Sequence, residues 1–579
     1  MVDISRPWVV DSELSSRWPI YTRGNVGEVS STAATPLFWS LVGGLPAERE
    51  WKKALVEFGA FDLDEFRPDV IDIQGMVHGY VYLNLSNMRT FGARMPGATP
   101  DLMDRTYLGD TEAPPYAPHP DDDKPEYTER ILATVQRVLG ETARPDVDEH
   151  RDIAERVRSE RPDLSALTPQ ELVAHERRIM NEEYPVFIRT HLRMVYEGSV
   201  VTGALDQALA PLGDPTLAVA LMSGLGNVAS AAPNKAMWSL GRQVAASKVL
   251  SAEFDAGIAG LEERLRKSAE PDAVAFVEGF DDLIYRFGSR STQEWEANAK
   301  TWESFPNIPL GMIDRMRLQP EEKSPELQEA RLRQEREALL GDVRARLADT
   351  PEALAGLEAV LNSVVVYSIA REQSKTNTVR VLHEARLATV ELGRRYAAQG
   401  IFKRPDDIVM VREDELDALV ENPASFADTI EERWEWWREL SELEPPVLIE
   451  KGKIPPVTEW PRRKDPSASV AEVGEVLTGL SACAGKATGR ARIIMDPEDA
   501  VDLEPGEILV APYTDPGWTP IFTSAEAVVV NVGSSMSHAA IVSRELGIPC
   551  VLGVKDATKR IRDGAMLSVD GAAGTVTLL

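Results

Sequence analysis

The sequence predicts a multidomain protein with a mostly α-helical larger part, a minor β contribution, and a small α/β domain after it. Three observations predict this. The 579 residues are more than one hydrophobic core usually serves. From about 126 to 440, long segments rich in Ala, Leu, Glu and Arg carry apolar residues three and four apart, the period of an amphipathic helix. From about 470 to 579, short apolar runs alternate with a single capped helical run, the pattern of an α/β domain.

Up to about Gly97 the text is short segments with turn punctuation, TRGNVGEV at 22–29 and GMVHGYVYLNLSN at 75–87. Alternation around Val77, Tyr80 and Tyr82 in the latter predicts strands. Segments such as ELVAHERRIMNEEYPVFIRTHLRMVYEG and the run from Pro325 to Lys375 then predict long helices. Between Glu444 and Ser467, Pro445, Pro446, Pro455, Pro456, Pro461 and Pro466 are expected to exclude regular helix and sheet pairing. The stretch 441–469 therefore reads as a linker between a domain at 1–440 and another at 470–579. About twenty extended residues at ~3 Å each span on the order of 60 Å. Beyond it, ATGRARIIM, GEILVAP, AEAVVVN, PCVLGV, MLSVD and GTVTLL read as strands and SHAAIVSREL as a helix.

Composition excludes several functions. The net charge of −30 and pI near 4.8, with no basic run, argue against nucleic acid or an anionic membrane as the main partner. A mean hydropathy of −0.23 is that of a soluble globular chain, and no uninterrupted apolar run approaches the ~20 residues of a spanning helix. Met1 to Val10 lack the pattern of a signal peptide, and Cys483 and Cys550 form neither a disulfide framework nor a Cys-x-x-Cys pair. A cytoplasmic protein is expected.

The segment NVGSSMSHAAIVSRELGIPCVLGV, 531–554, carries the chemistry. Gly533, Ser534 and Ser535 form a turn of small residues after an apolar strand, and Ser537 is placed to cap a helix that ends at Gly547, with Pro549 just beyond. His538 then sits in the first helical turn, where unpaired N–H groups and the positive end of the helix dipole favour an anion. A neutral imidazole there can attack a phosphoryl group, and the product is held by the same donors. The competing reading is a histidine that merely caps or packs.

This string resembles the phosphohistidine swivelling domain of the phosphoenolpyruvate-utilising enzymes, shared by phosphoenolpyruvate synthase, pyruvate phosphate dikinase, rifampin phosphotransferase and phenylphosphate synthase. The resemblance extends over ATGRARI, PGEILVAPYTDPGWTP at 505–520, and AVVV, and implies that His538 is the phosphorylated residue and that Gly533, Ser535 and Ser537 hold its phosphate. Ser534 and Ser543 depart from the family's usual Gly and Ala. The region 1–440 resembles the acceptor-binding part of rifampin phosphotransferase and the larger subunit of phenylphosphate synthase, through TRGNVGEV, TPLFWS, GYVYLNLSN, FGSRSTQEWEANAKTWE and AREQSK. Ser289 stands where that family usually writes the histidine of Gly-His-Arg-Gly.

Further candidates lie in these strings. Arg371 and Lys375, four apart on a helical pattern with Glu372 beside them, put two cations on one face that could neutralise a phosphoryl group in transfer. Arg290, Glu294 and Glu296 could orient an acceptor hydroxyl or supply a base. A solvated charged face and ordinary salt bridges are the alternatives. The other histidines, His191 among them, show no metal-ligand spacing, and no metal site is expected. The resemblance implies a carrier and acceptor subunit of a dikinase-like phosphotransferase. ATP and Mg²⁺ would be bound by a separate ATP-grasp partner, because no ATP-grasp region, Walker string or phosphoenolpyruvate-binding barrel is recognisable in the sequence. The acceptor would be a small hydroxyl-bearing organic molecule. A regulatory phosphocarrier without acceptor chemistry, or a lyase working through a transient phosphate ester, remain the other readings.

Overall fold

The near-continuous apolar runs Ile508–Ala511 and Ala527–Val530 form strands buried on both faces, as a parallel sheet requires. The computed structural model describes residues 3–579 except 109–110, 123, 215, 226–231, 464–468, 496–502, 515–517 and 534–536. The chain divides into two compact units: one of Met1–Leu205, Trp295–Asn298 and Glu358–Pro466, the other of Asp206–Glu294, Ala299–Leu357 and Ser467–Leu579. Most elements are helices, and the α/β part lies at the C-terminal end, as the sequence predicts.

In the first unit, β1 (Ile20–Thr22), β2 (Gln74–Val77), β3 (Tyr80–Asn84) and β4 (Leu448–Glu450) form an antiparallel sheet in the order β2-β3-β1-β4. Here the structure corrects the sequence reading of the proline-rich stretch. Leu448–Glu450 does pair, because Pro445 and Pro446 precede the strand and Pro455 follows it, and because β4 is an edge that needs partners on one side only. The attachment continues on both sides of the strand. The Tyr80 hydroxyl lies 2.6 Å from the Leu440 carbonyl and 2.8 Å from that of Leu443, Tyr82 donates to Pro446, and Arg463 donates to Ser31. Residues 464–468 lie outside the described residues.

Two helices of the first unit carry the candidate acceptor-side residues. Pro351–Ala398 is long and apolar enough, by length and composition, to cross a membrane. Yet its polar residues bond to neighbouring protein: Ser363 to the Leu139 carbonyl, Asn377 to that of Val147 and Thr378 to that of Phe187. The last contact lies against Tyr184–Leu209, and the two helices run antiparallel, with His191 opposite Ser374 and Gly198 beside the Arg371 stem.

The second unit holds β5 (Val476–Thr478), β6 (Leu480–Cys483), β7 (Lys486–Ile493), β8 (Ile508–Ala511), β9 (Ala527–Val530), β10 (Cys550–Leu552), β11 (Met566–Asp570) and β12 (Thr575–Leu578). Their order is β5-β12-β11-β7-β8-β9-β10-β6, and the run β7-β8-β9-β10 is parallel. Alternate residues face opposite cores. Ile508, Val510, Ala527 and Val529 pack with Leu567, Val569 and Val576, while Leu509, Ala511, Val528 and Val530 pack with Ala540, Val542 and Trp518. The second core also takes in Trp238, Phe280, Trp302 and Ile313 from helices and loops of residues 232–317. Residues 467–579 are thus fused by a continuous core to part of the helical chain.

Candidate functional site

The sequence between β9 and β10 encodes a capped helix that begins at His538. The helix His538–Leu546 starts at Ser537, whose extended backbone is that of an N-cap and whose hydroxyl accepts from the Ala540 N–H at 3.4 Å. It ends at Gly547 in the left-handed conformation, φ 63°, with the Ile548 N–H returning to the Ser543 carbonyl. Gly533 is packed close, and its backbone approaches Leu552 and Ser537 as only a residue without Cβ does comfortably. Ser534 and Ser535 lie outside the described residues, so no contact is assigned to the expected phosphate role of Ser535.

His538 is half-buried in the first turn. Its Nδ1 lies 3.4 Å from the Thr514 hydroxyl, and Phe522 meets the ring edge to face at 6.1 Å between centroids. Thr514 and Phe522 come from the GEILVAPYTDPGWTP stretch and its continuation, and sequence reasoning did not single them out. Beside Thr514, the Tyr513 hydroxyl accepts from the Gln293 side-chain amide at 3.2 Å. The string after Ser289 is thereby connected to the neighbourhood of His538 within one unit.

That string is folded tightly. Trp302 N–H donates to the Arg290 carbonyl, Glu303 N–H to that of Gly288, and Ser289 is buried. Arg290 and Glu294 form a buried ion pair at 3.1 Å. Glu296 falls in the other unit. Its carboxylate accepts from the hydroxyl and N–H of Thr35 and from the Ala297 N–H, and burial raises its pKa against the lowering effect of the Thr35 bond. Thr35 caps the Pro36–Phe38 turn, so Glu296 is engaged in holding chain segments together.

Arg371, Glu372 and Lys375 lie on the long helix, as the pattern predicts, in the same unit as Glu296. The structure adds a neighbour that sequence spacing did not suggest. His191 stacks on Trp295 at 5.9 Å, and its Nδ1 is 3.2 Å from the Ser374 hydroxyl. Burial, with Lys375 and Arg371 nearby, lowers the pKa of His191 to about 3. Among the described residues, Arg371 has no carboxylate partner.

These placements can be set beside known proteins. Residues 503–574 match the PEP-utilising enzyme, mobile domain family, and residues 190–372 match the rifampicin phosphotransferase fourth domain. A prodigiosin synthesizing transferase, PigC, of Serratia marcescens is 33% identical over 318 residues, covering 53% of this chain and 34% of that protein. Rifampicin phosphotransferase of Bacillus subtilis is 29% identical over 304 residues, 51% of this chain and 34% of that enzyme. An uncharacterised protein of Mycobacterium tuberculosis is 39% identical over 206 residues, 36% and 23% of the two chains. The chain thus spans about a quarter to a third of the length of these relatives. His538 and its cap fall inside the mobile-domain match, and His191, Arg290, Glu294, Glu296 and Arg371 inside the other.

Proposed function

We propose that this chain is the phosphohistidine carrier and acceptor-binding part of a phosphotransferase. His538 takes a phosphoryl group originating in ATP, and the group passes to a hydroxyl of a small organic molecule. The observation that carries the reading is the placement of His538 at the capped start of a helix within the mobile-domain match. A neutral His538 imidazole attacks phosphorus, and the helix N-terminus offsets the charge of the product. Splitting the transfer into two steps through a covalent intermediate is nucleophilic catalysis.

ATP and Mg²⁺ belong, in this proposal, to a separate ATP-grasp protein. Two relatives bear names that describe transfer to an organic compound, a rifampicin phosphotransferase and a prodigiosin synthesizing transferase, which supports an organic acceptor here. The test is chemical loading. Phosphoramidate should place acid-labile, base-stable phosphate on the wild-type chain, and His538→Ala should abolish it while leaving circular dichroism unchanged. Equal labelling of the variant at any other residue would overturn the assignment.

A further inference from the structure

The tautomer of a histidine follows from the hydrogen bond that one of its nitrogens makes, and His191 makes one to Ser374. The Ser374 hydroxyl has one proton, and it donates that proton to the Arg371 carbonyl at 2.8 Å. With that shorter bond made, Ser374 takes the acceptor role in its 3.2 Å contact with His191, which places the ring proton on Nδ1. Nε2 is left with its lone pair, and among the described residues it has no hydrogen-bond partner. The ring stacks on Trp295 with centroids 5.9 Å apart and planes 28° from parallel, and it is half-buried.

We infer that His191 is the base that receives the proton of the acceptor hydroxyl, in a site where Arg371 and Lys375 hold the incoming phosphoryl group and Ser374 positions the ring. The inference rests on the phosphotransfer reading and supplies the acceptor-side base that Ser289 leaves unassigned. In the step, the hydroxyl oxygen forms a bond to phosphorus and the P–N bond of the carrier phosphohistidine breaks. Its electron pair returns to the ring nitrogen, and the carrier, protonated on its other nitrogen, leaves as neutral imidazole. The hydroxyl proton passes to Nε2 of His191.

The charges around the ring give the base a built-in dependence on its substrate. The two cations of the long helix, Arg371 and Lys375, act on His191 through their charge, and the neighbouring Trp295 contributes none. Burial is the larger cause that disfavours a proton on Nε2, and both cations add to it. A phosphoryl dianion seated beside Arg371 offsets that repulsion, so the ring gains proton affinity when there is a hydroxyl to deprotonate.

The test is ¹⁵N-histidine NMR on the full chain, with inorganic phosphate as the anion probe. The expected result is a neutral His191 at pH 7 with its proton on Nδ1, whose proton affinity rises at least tenfold when phosphate saturates the site. Arg371→Ala should remove that response, and Ser374→Ala should let the proton redistribute to Nε2 without unfolding the chain. A ring protonated on Nε2 in the wild type, or a titration indifferent to phosphate, overturns the inference. Failure of His538 to accept phosphate from phosphoramidate would sink the phosphotransfer reading by itself and leaves the NMR outcome unaffected, so the two failures are distinguishable.

Discussion

Gly533→Ala tests whether the turn ahead of His538 is as tightly packed as its neighbours' distances imply. An added Cβ would lie 3.2 Å from both Cβ and Cδ2 of Leu552 and 3.4 Å from the Ser537 hydroxyl. The last of these is an ordinary contact. The first two are too close, and because Leu552 is fully buried in β10 its Cβ moves only with the strand. Gly533 does not adopt a positive φ, so the penalty is one of packing and not of backbone strain. Overpacking of this kind costs about 1–3 kcal/mol. Hydrogen exchange of a peptide covering β9 through β10 should then quicken roughly 5- to 150-fold, since every ~1.4 kcal/mol is tenfold. Leu552→Ala, which by itself costs about 2–5 kcal/mol, should cost less in the Gly533→Ala background by on the order of 1 kcal/mol. Exchange unchanged within about twofold, or strict additivity of the two changes, would refute the packing argument.

Two further outcomes are expected. Lys375→Ala should leave phosphorylation of His538 intact and slow passage to the acceptor by ~10²-fold or more, because charge stabilisation there acts in the transition state; separate measurement of the half-reactions checks it, and normal transfer returns Lys375 to a solvated face. Glu176 is fully buried, has no hydrogen-bond partner for either oxygen among the described residues, and is raised by burial, with Glu413 adding and Arg177 opposing, to about 8. Its folded pKa exceeds the ordinary value near 4.5, so the stability it contributes is complete below that value and is lost as pH rises through about 8. Glu176→Gln should flatten the pH dependence of unfolding across that window, and a profile identical to wild type would count against a protonated Glu176.

The sequence by itself determined what local signals encode. Ser537 and Gly547 bracket the His538 helix because capping is decided within one turn of chain, and the parallel strands are visible because burial on both faces leaves unbroken apolar runs. The place of Arg371 and Lys375 on one helix follows from a period of 3.6. Tertiary structure alone decided the rest. Leu448–Glu450 becomes an edge strand because β1 offers it a free side, which no count of prolines reveals. Cys483 and Cys550 become cross-strand partners, with Cys550 pushed by burial to about 12, although neither position hints at the other. His191 acquires a donor direction and a charge environment only through Ser374, Arg371 and Lys375, nearly two hundred residues away in the chain. Its hydrogen bond exists because two long helices pack antiparallel, and packing of that kind depends on the summed fit of both surfaces, which spacing within either segment does not contain.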